Sequence, residues 1–100
     1  MRGDIPRRPS TRQNISASTT TAKATNAVGA YTQYVHVFNG SAAGIIAWVY
    51  FGLTGDAATA ANGFPIAAQT GEYLRITPGQ FVHVLLASST GTVYVTEMDG

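Results

Sequence analysis

From residue 34 onward the chain reads with a period of two. Tyr34-Val35-His36-Val37-Phe38 and Phe81-Val82-His83-Val84-Leu85 carry valine at every second position, so one face of each run is uniformly apolar, the pattern of a β-strand with one face on a core. Short β-branched or aromatic runs of this kind are punctuated by Asn39-Gly40, Gly52, Gly55, Asn62-Gly63, Gly71, Pro78-Gly79 and Gly91. Runs broken at this spacing by turn residues predict an all-β chain, with strands near 31–38, 44–52, 72–77, 81–87 and 92–98. Pro78-Gly79 fits the centre of a type II turn, because proline presets the first φ and glycine accepts the positive second one. Residues 88–91 are expected to close a hairpin between the last two strands. Residues 53–62 are Ala, Thr and Gly around one Asp, and five helix-favouring residues without a cap or an apolar stripe predict a surface loop rather than a helix.

The run 44–52 is different. Ile45, Ala47, Val49 and Phe51 point one way, while Ile46, Trp48 and Tyr50 point the other, so both faces need cover. A sandwich of about 70 residues hides only about 60% of its chain's surface. The second face is therefore expected to meet another copy of the protein or a larger partner, through Ile46, Trp48 and Tyr50. The two valine runs stand 47 residues apart, and Ser41 and Gly44 recur as Ser88 and Gly91 at the same offset. Two similar hairpins facing each other would form a small sandwich.

Residues 1–30 have another composition. All ten aromatics lie in residues 31–100, and charge divides at the same place. Arg2, Arg7, Arg8, Arg12 and Lys23 against Asp4 leave the first part at +4, whereas Arg75 against Asp56, Glu72, Glu97 and Asp99 leaves the rest at −3. The Ser/Thr/Ala/Asn tract 16–26 is too poor in large apolar groups to offset the entropy of its own ordering. The expected organisation is thus an extended basic N-terminal arm, 1–30, outside a small β-sandwich or jelly-roll-like domain, 31–100. Arg and Pro occupy Met1 to Ser10 where a leader's apolar segment would stand, and no apolar run approaches the roughly 20 residues of a membrane span; neither a secretory leader nor a membrane partner is expected.

Candidate chemistry is sparse. With no cysteine, thiolate zinc sites and thiol nucleophiles are excluded. His36 and His83 occupy corresponding strand positions, and two imidazoles without a neighbouring carboxylate make a poor metal site. Glu72, His36 and His83 would have to converge for acid–base catalysis. Glu97 and Asp99 read as solvated charges that keep the last strand from pairing edge to edge. No catalytic, cofactor-binding or metal-binding residue is assigned, no cofactor is expected, and the chain reads as a protein that is not an enzyme. Arg2, Arg7, Arg8 and Arg12, interrupted by Pro6 and Pro9, form a basic strap suited to an acidic surface. No aromatic is interleaved with it to stack on bases, so nucleic acid is the lesser expectation.

Residues 34–100 resemble the small β-sandwich virion proteins of tailed bacteriophages, the kind that decorate or cement the capsid. The resemblance rests on Val35-His36-Val37-Phe38-Asn39-Gly40, Ala47-Trp48-Val49-Tyr50-Phe51-Gly52, Pro65-Ile66, Gly71-Glu72-Tyr73, Thr77-Pro78-Gly79 and Ser89-Thr90-Gly91-Thr92-Val93-Tyr94-Val95-Thr96 with the terminal Asp99-Gly100. It implies a homotrimeric capsid decoration protein, made in the host cytoplasm and bound to major capsid protein on the virion's capsid surface, with a neck or tail structural protein as the alternative. In that setting Ile5, Ile15 and Val28 would act as pegs in neighbouring subunits while Arg7, Arg8 and Arg12 pair with carboxylates between them. Such an arm could be removed without loss of the fold.

Overall fold

The computed structural model describes residues 8–30 and 32–99, with side chains from residue 12 to 30 and 32 to 98. Eight strands make up the chain: β1 (Arg8–Ala17), β2 (Ala22–Lys23), β3 (Tyr34–Asn39), β4 (Ala47–Gly52), β5 (Phe64–Ile66), β6 (Thr70–Arg75), β7 (Phe81–Leu86) and β8 (Gly91–Asp99). They form two antiparallel four-stranded sheets, ordered β1-β8-β3-β6 and β2-β7-β4-β5. That interleaving of first with last strand is the jelly-roll arrangement of two packed sheets, and the expected all-β sandwich is the fold. No described residue is helical, and residues 53–62 form a loop, as their composition predicts.

Alternation decides which side chains lie between the sheets. Val35 and Val37 of β3 and Val93 and Val95 of β8 face Val82, Val84 and Leu86 of β7 and Ala47 and Val49 of β4 across one buried core. The boundary expected at residue 31 is displaced, because the sandwich begins at Arg8. β1 pairs with β8 from Arg8 opposite Asp99 to Ala17 opposite Gly91, and residues beyond β2 continue along β7 through Ala24 N to Val82 O and Val28 N to Gln80 O, at 2.8 and 2.9 Å. Ile15, Ala17, Ala24 and Val28 are buried core residues. The segment is extended, as its composition suggests, but sheet pairing supplies backbone partners and a few small apolar side chains suffice to seal the edge of the core.

The 47-residue echo also has a different meaning from the expected pair of hairpins. β3 and β8 lie in one sheet, β4 and β7 in the other. Each echoed unit therefore crosses between sheets, and each sheet receives one strand from each unit. The two corners meet: Gly40 N donates to Thr92 O at 2.9 Å, and a Cβ on Gly40 would lie 2.8 Å from that same oxygen, while one on Gly91 would collide with the Ser41 side chain. Glycine is needed at both because the backbones cross at contact distance. Ser89, at φ 59°, turns the second corner. The turn at 78–79 follows expectation, with Gly79 at φ 89° and Gln80 N donating to Thr77 O at 3.2 Å.

Glu97 is not the solvated terminal charge anticipated. β8 is an interior strand flanked by β1 and β3, so Glu97, 6% exposed, points into the interior. Its Oε1 accepts from Thr32 Oγ1 at 2.6 Å and from Gly29 N at 3.0 Å, which pins the 29–32 connection to the sheet. Removing the hydroxyl takes one charge-assisted hydrogen bond away from a buried carboxylate. Thr32→Val is therefore expected to lower the unfolding free energy by about 1.5–3 kcal/mol in a urea titration at pH 7, with Thr32→Ser close to the parent.

Candidate functional surfaces

Ile5 and Arg7 lie outside the described residues, and Arg8 is placed by its backbone alone. Arg12 is exposed on β1, with its guanidinium carbon 4.9 Å from the Tyr94 ring centroid. Ile15 and Val28 cannot serve as pegs in neighbouring subunits, since both are already buried in the core, Ile15 opposite Val93, its register partner on β8. The arginines and isoleucines grouped in the sequence as one strap are thus divided: alternation on β1 sends Ile15 inward and Arg12 outward.

Ile46, Trp48 and Tyr50 do project from the outer side of the second sheet, but Gly63 packs against Trp48, where a Cβ would lie 2.7 Å from the Trp48 Cβ, and Tyr50 lies beside His83. Nε2 of His83 donates to the Leu53 carbonyl at 2.9 Å. Ala58 is buried, and its N donates to Thr21 Oγ1 at 2.9 Å. The connection is held in shape by Asp56 Oδ2 accepting from Leu53 N at 2.8 Å and by Asn62 Oδ1 accepting from Thr59 N at 2.7 Å. Trp48 and Tyr50 are half-buried, whereas Ile46 is 38% exposed. Two further large side chains of this sheet stay open, Phe64 at 47% on edge strand β5, opposite Val49, and Leu53 at 67% beyond the other end of β4 from Ile46.

The three groups that acid–base catalysis would need are kept apart. His36 projects from the outer face of the first sheet, where its ring lies 4.6 Å from Tyr73. His83 belongs to the other sheet and is buried under residue 53. Glu72 is opposite Val37, one residue out of phase with His36. Among the described residues no group of three or more His, Cys, Asp or Glu gathers as a metal site.

The outer face of the first sheet is chemically the richest surface. The registers align Arg12, Thr96, His36 and Tyr73 in one row across β1, β8, β3 and β6, and Asn14, Tyr94, Phe38 and Gly71 in the next. Met98, Tyr34 and Arg75 form the row on the other side. Four aromatic rings, one imidazole and two guanidiniums share this face, and none of its described side chains is a carboxylate. Phe38 and Tyr94 lie 6.2 Å apart, and the Arg75 guanidinium lies 5.8 Å from the Tyr34 centroid. A Cβ on Gly71 would lie 2.6 Å from His36 Nε2, so this glycine lets the imidazole rest on the sheet backbone. Tyr73 is the most open of the rings, at 64% exposure.

In sequence the valine side of these strands hides the other. The signal of the aromatic face is nonetheless present, since Tyr34, His36 and Phe38, and likewise Tyr94, fall on the opposite parity to the valines. No family model, no curated protein and no solved structure matches the chain.

Proposed function

We propose that the chain is a non-enzymatic structural protein of a tailed-bacteriophage virion, a homotrimeric decoration or cement protein that binds major capsid protein across subunit boundaries on the capsid surface. The observation that carries this reading is the exposure of three large apolar side chains, Ile46 and Leu53 at the two ends of β4 and Phe64 on edge strand β5. Open apolar groups at a sheet margin favour a protein partner, and a second copy is the simplest one. The jelly-roll architecture recurs in viral capsid proteins, which supports the reading by analogy of fold.

Sedimentation at micromolar concentration is expected to give three times the chain mass. Ile46→Asp with Phe64→Asp should return the monomer mass with an unchanged circular dichroism spectrum, because both residues are exposed. A parent chain that sediments as a monomer, together with virions that lack the protein, would refute the proposal. Density at the neck or tail instead of the capsid would favour the alternative location.

A further inference from the structure

In sequence the basic strap lacks the aromatics that a nucleic-acid element needs. Folding supplies them: β1 lays Arg12 beside Tyr94, and β6 lays Tyr73 and Arg75 at the far side of the same sheet face. From Arg12 to Tyr73 the platform crosses three interstrand spacings, about 14 Å.

We propose that the outer face of the β1-β8-β3-β6 sheet binds single-stranded nucleic acid, with bases stacked on Tyr73, His36 and the Phe38–Tyr94 pair and phosphates held by Arg12 and Arg75. The chemistry of the face selects this occupant. Two guanidiniums without a described carboxylate among them complement a polyanion, while the exposed Tyr73 ring and the half-buried rings beside it on adjacent strands offer faces to flat bases. An acidic peptide would use the arginines and leave the rings without stacking partners. A duplex hides its base faces inside the helix, so a flat platform can stack only on unpaired bases. Four-stranded sheets with exposed aromatics stack about two or three bases in this manner, and the present face spans a comparable four strands. Such binding requires neither a trimer nor a place on a virion.

The test is fluorescence anisotropy of a labelled fifteen-nucleotide oligo-dT with the full chain at low salt. Binding is expected, with the blunt duplex of the same length bound more weakly. Tyr73→Ala should weaken the oligo-dT about 5- to 100-fold, and Tyr73→Phe should bind like the parent. Arg75→Gln should reduce the slope of log affinity against log salt by about 0.7. An Arg7→Gln, Arg8→Gln chain should also lose salt dependence but retain the full Tyr73 effect, which separates the platform from the arm. Tyr73 and Arg75 are both exposed, so their variants should keep the parent's circular dichroism spectrum.

Absence of oligo-dT binding would overturn the proposal. So would affinity indifferent to Tyr73→Ala but abolished in the Arg7, Arg8 variant, which would mark binding by the arm alone. Displacement of oligo-dT by an acidic polysaccharide at equal charge, with the same Tyr73 dependence, would overturn it in favour of a sugar ligand. None of these results alters the sedimentation or virion outcomes.

Discussion

A chain beginning at Ala30 is expected not to fold. Such a chain lacks β1 and β2, leaving the nine-residue β8 with an unpaired edge and β7 without the backbone partners now supplied from Ser18 to Val28. It also lacks Ile15, Ala17, Ala24 and Val28 from the core. Burial of Ile15 and Val28 alone contributes about 3–5 kcal/mol, and a domain of this size is stable by only about 5–15 kcal/mol in all. The lost β1–β8 ladder and the bared edge of β8 add to that deficit. The shortened protein should show a random-coil circular dichroism spectrum and no cooperative melt, while a chain beginning at Arg8 retains all eight strands and should melt near the parent temperature. A single Ile15→Asp substitution should act in the same direction, since it places a carboxylate where the core offers an apolar site. A cooperative melt from the chain beginning at Ala30 would show that six strands suffice and that β1 is an appendage. Capsid-binding roles for the arginines at 7 and 8 are consequently better tested by substitution than by deletion.

The strands whose inward positions are valine are legible in sequence because β-branched alternation is both a local preference and a burial pattern. β3, β7 and β8 fall within a few residues of their expected places, and the turn at 78–79 needs only its two residues. β1 escapes a sequence reading because its inward positions are Gln13, Ile15 and Ala17, a side too weakly apolar to register against a polar tract. β5 escapes it because three residues containing Pro65 read as loop; proline is tolerated there since β5 is an edge strand. Alternation also leaves sheet membership undetermined. It sets which side of β7 and β8 faces inward, and a hairpin or a crossing satisfies that equally, so the corner at 88–91 passes for a hairpin. The parity of the aromatics is legible strand by strand, but their assembly into one platform is not, for the same reason: Arg12 and Tyr73 are 61 positions apart, and only the sheet order places them in one row.

Asn39→Leu should be the most damaging single conservative-volume change in the chain. Asn39 is fully buried at the end of β3, and its side chain completes three hydrogen bonds. Nδ2 donates to the carbonyls of Ile45 and Ile66, both at 2.9 Å, and Oδ1 accepts from Ser41 N at 3.0 Å. Those carbonyls flank or belong to β4 and β5 in the opposite sheet, so one amide ties the two layers together beside the crossing corner. Leucine fills the space but leaves two carbonyls and one N–H without these partners in a dry site, and each unsatisfied group costs about 1–3 kcal/mol. The expected loss is about 3–5 kcal/mol in a urea titration, a large part of the total. Asn39→Asp separates the amide's donors from its shape: an ionised carboxylate would oppose two carbonyl oxygens, so ionisation is penalised in the folded state and the introduced group's folded pKa lies above its unfolded value. The folded state then binds more protons than the unfolded one, and stability of this variant should rise as pH falls through that raised pKa, whereas Asn39→Leu should show no such recovery relative to the parent. Equal pH profiles for the two variants would mean that the lost contacts across the sheets, and not the amide's two donors, set the cost.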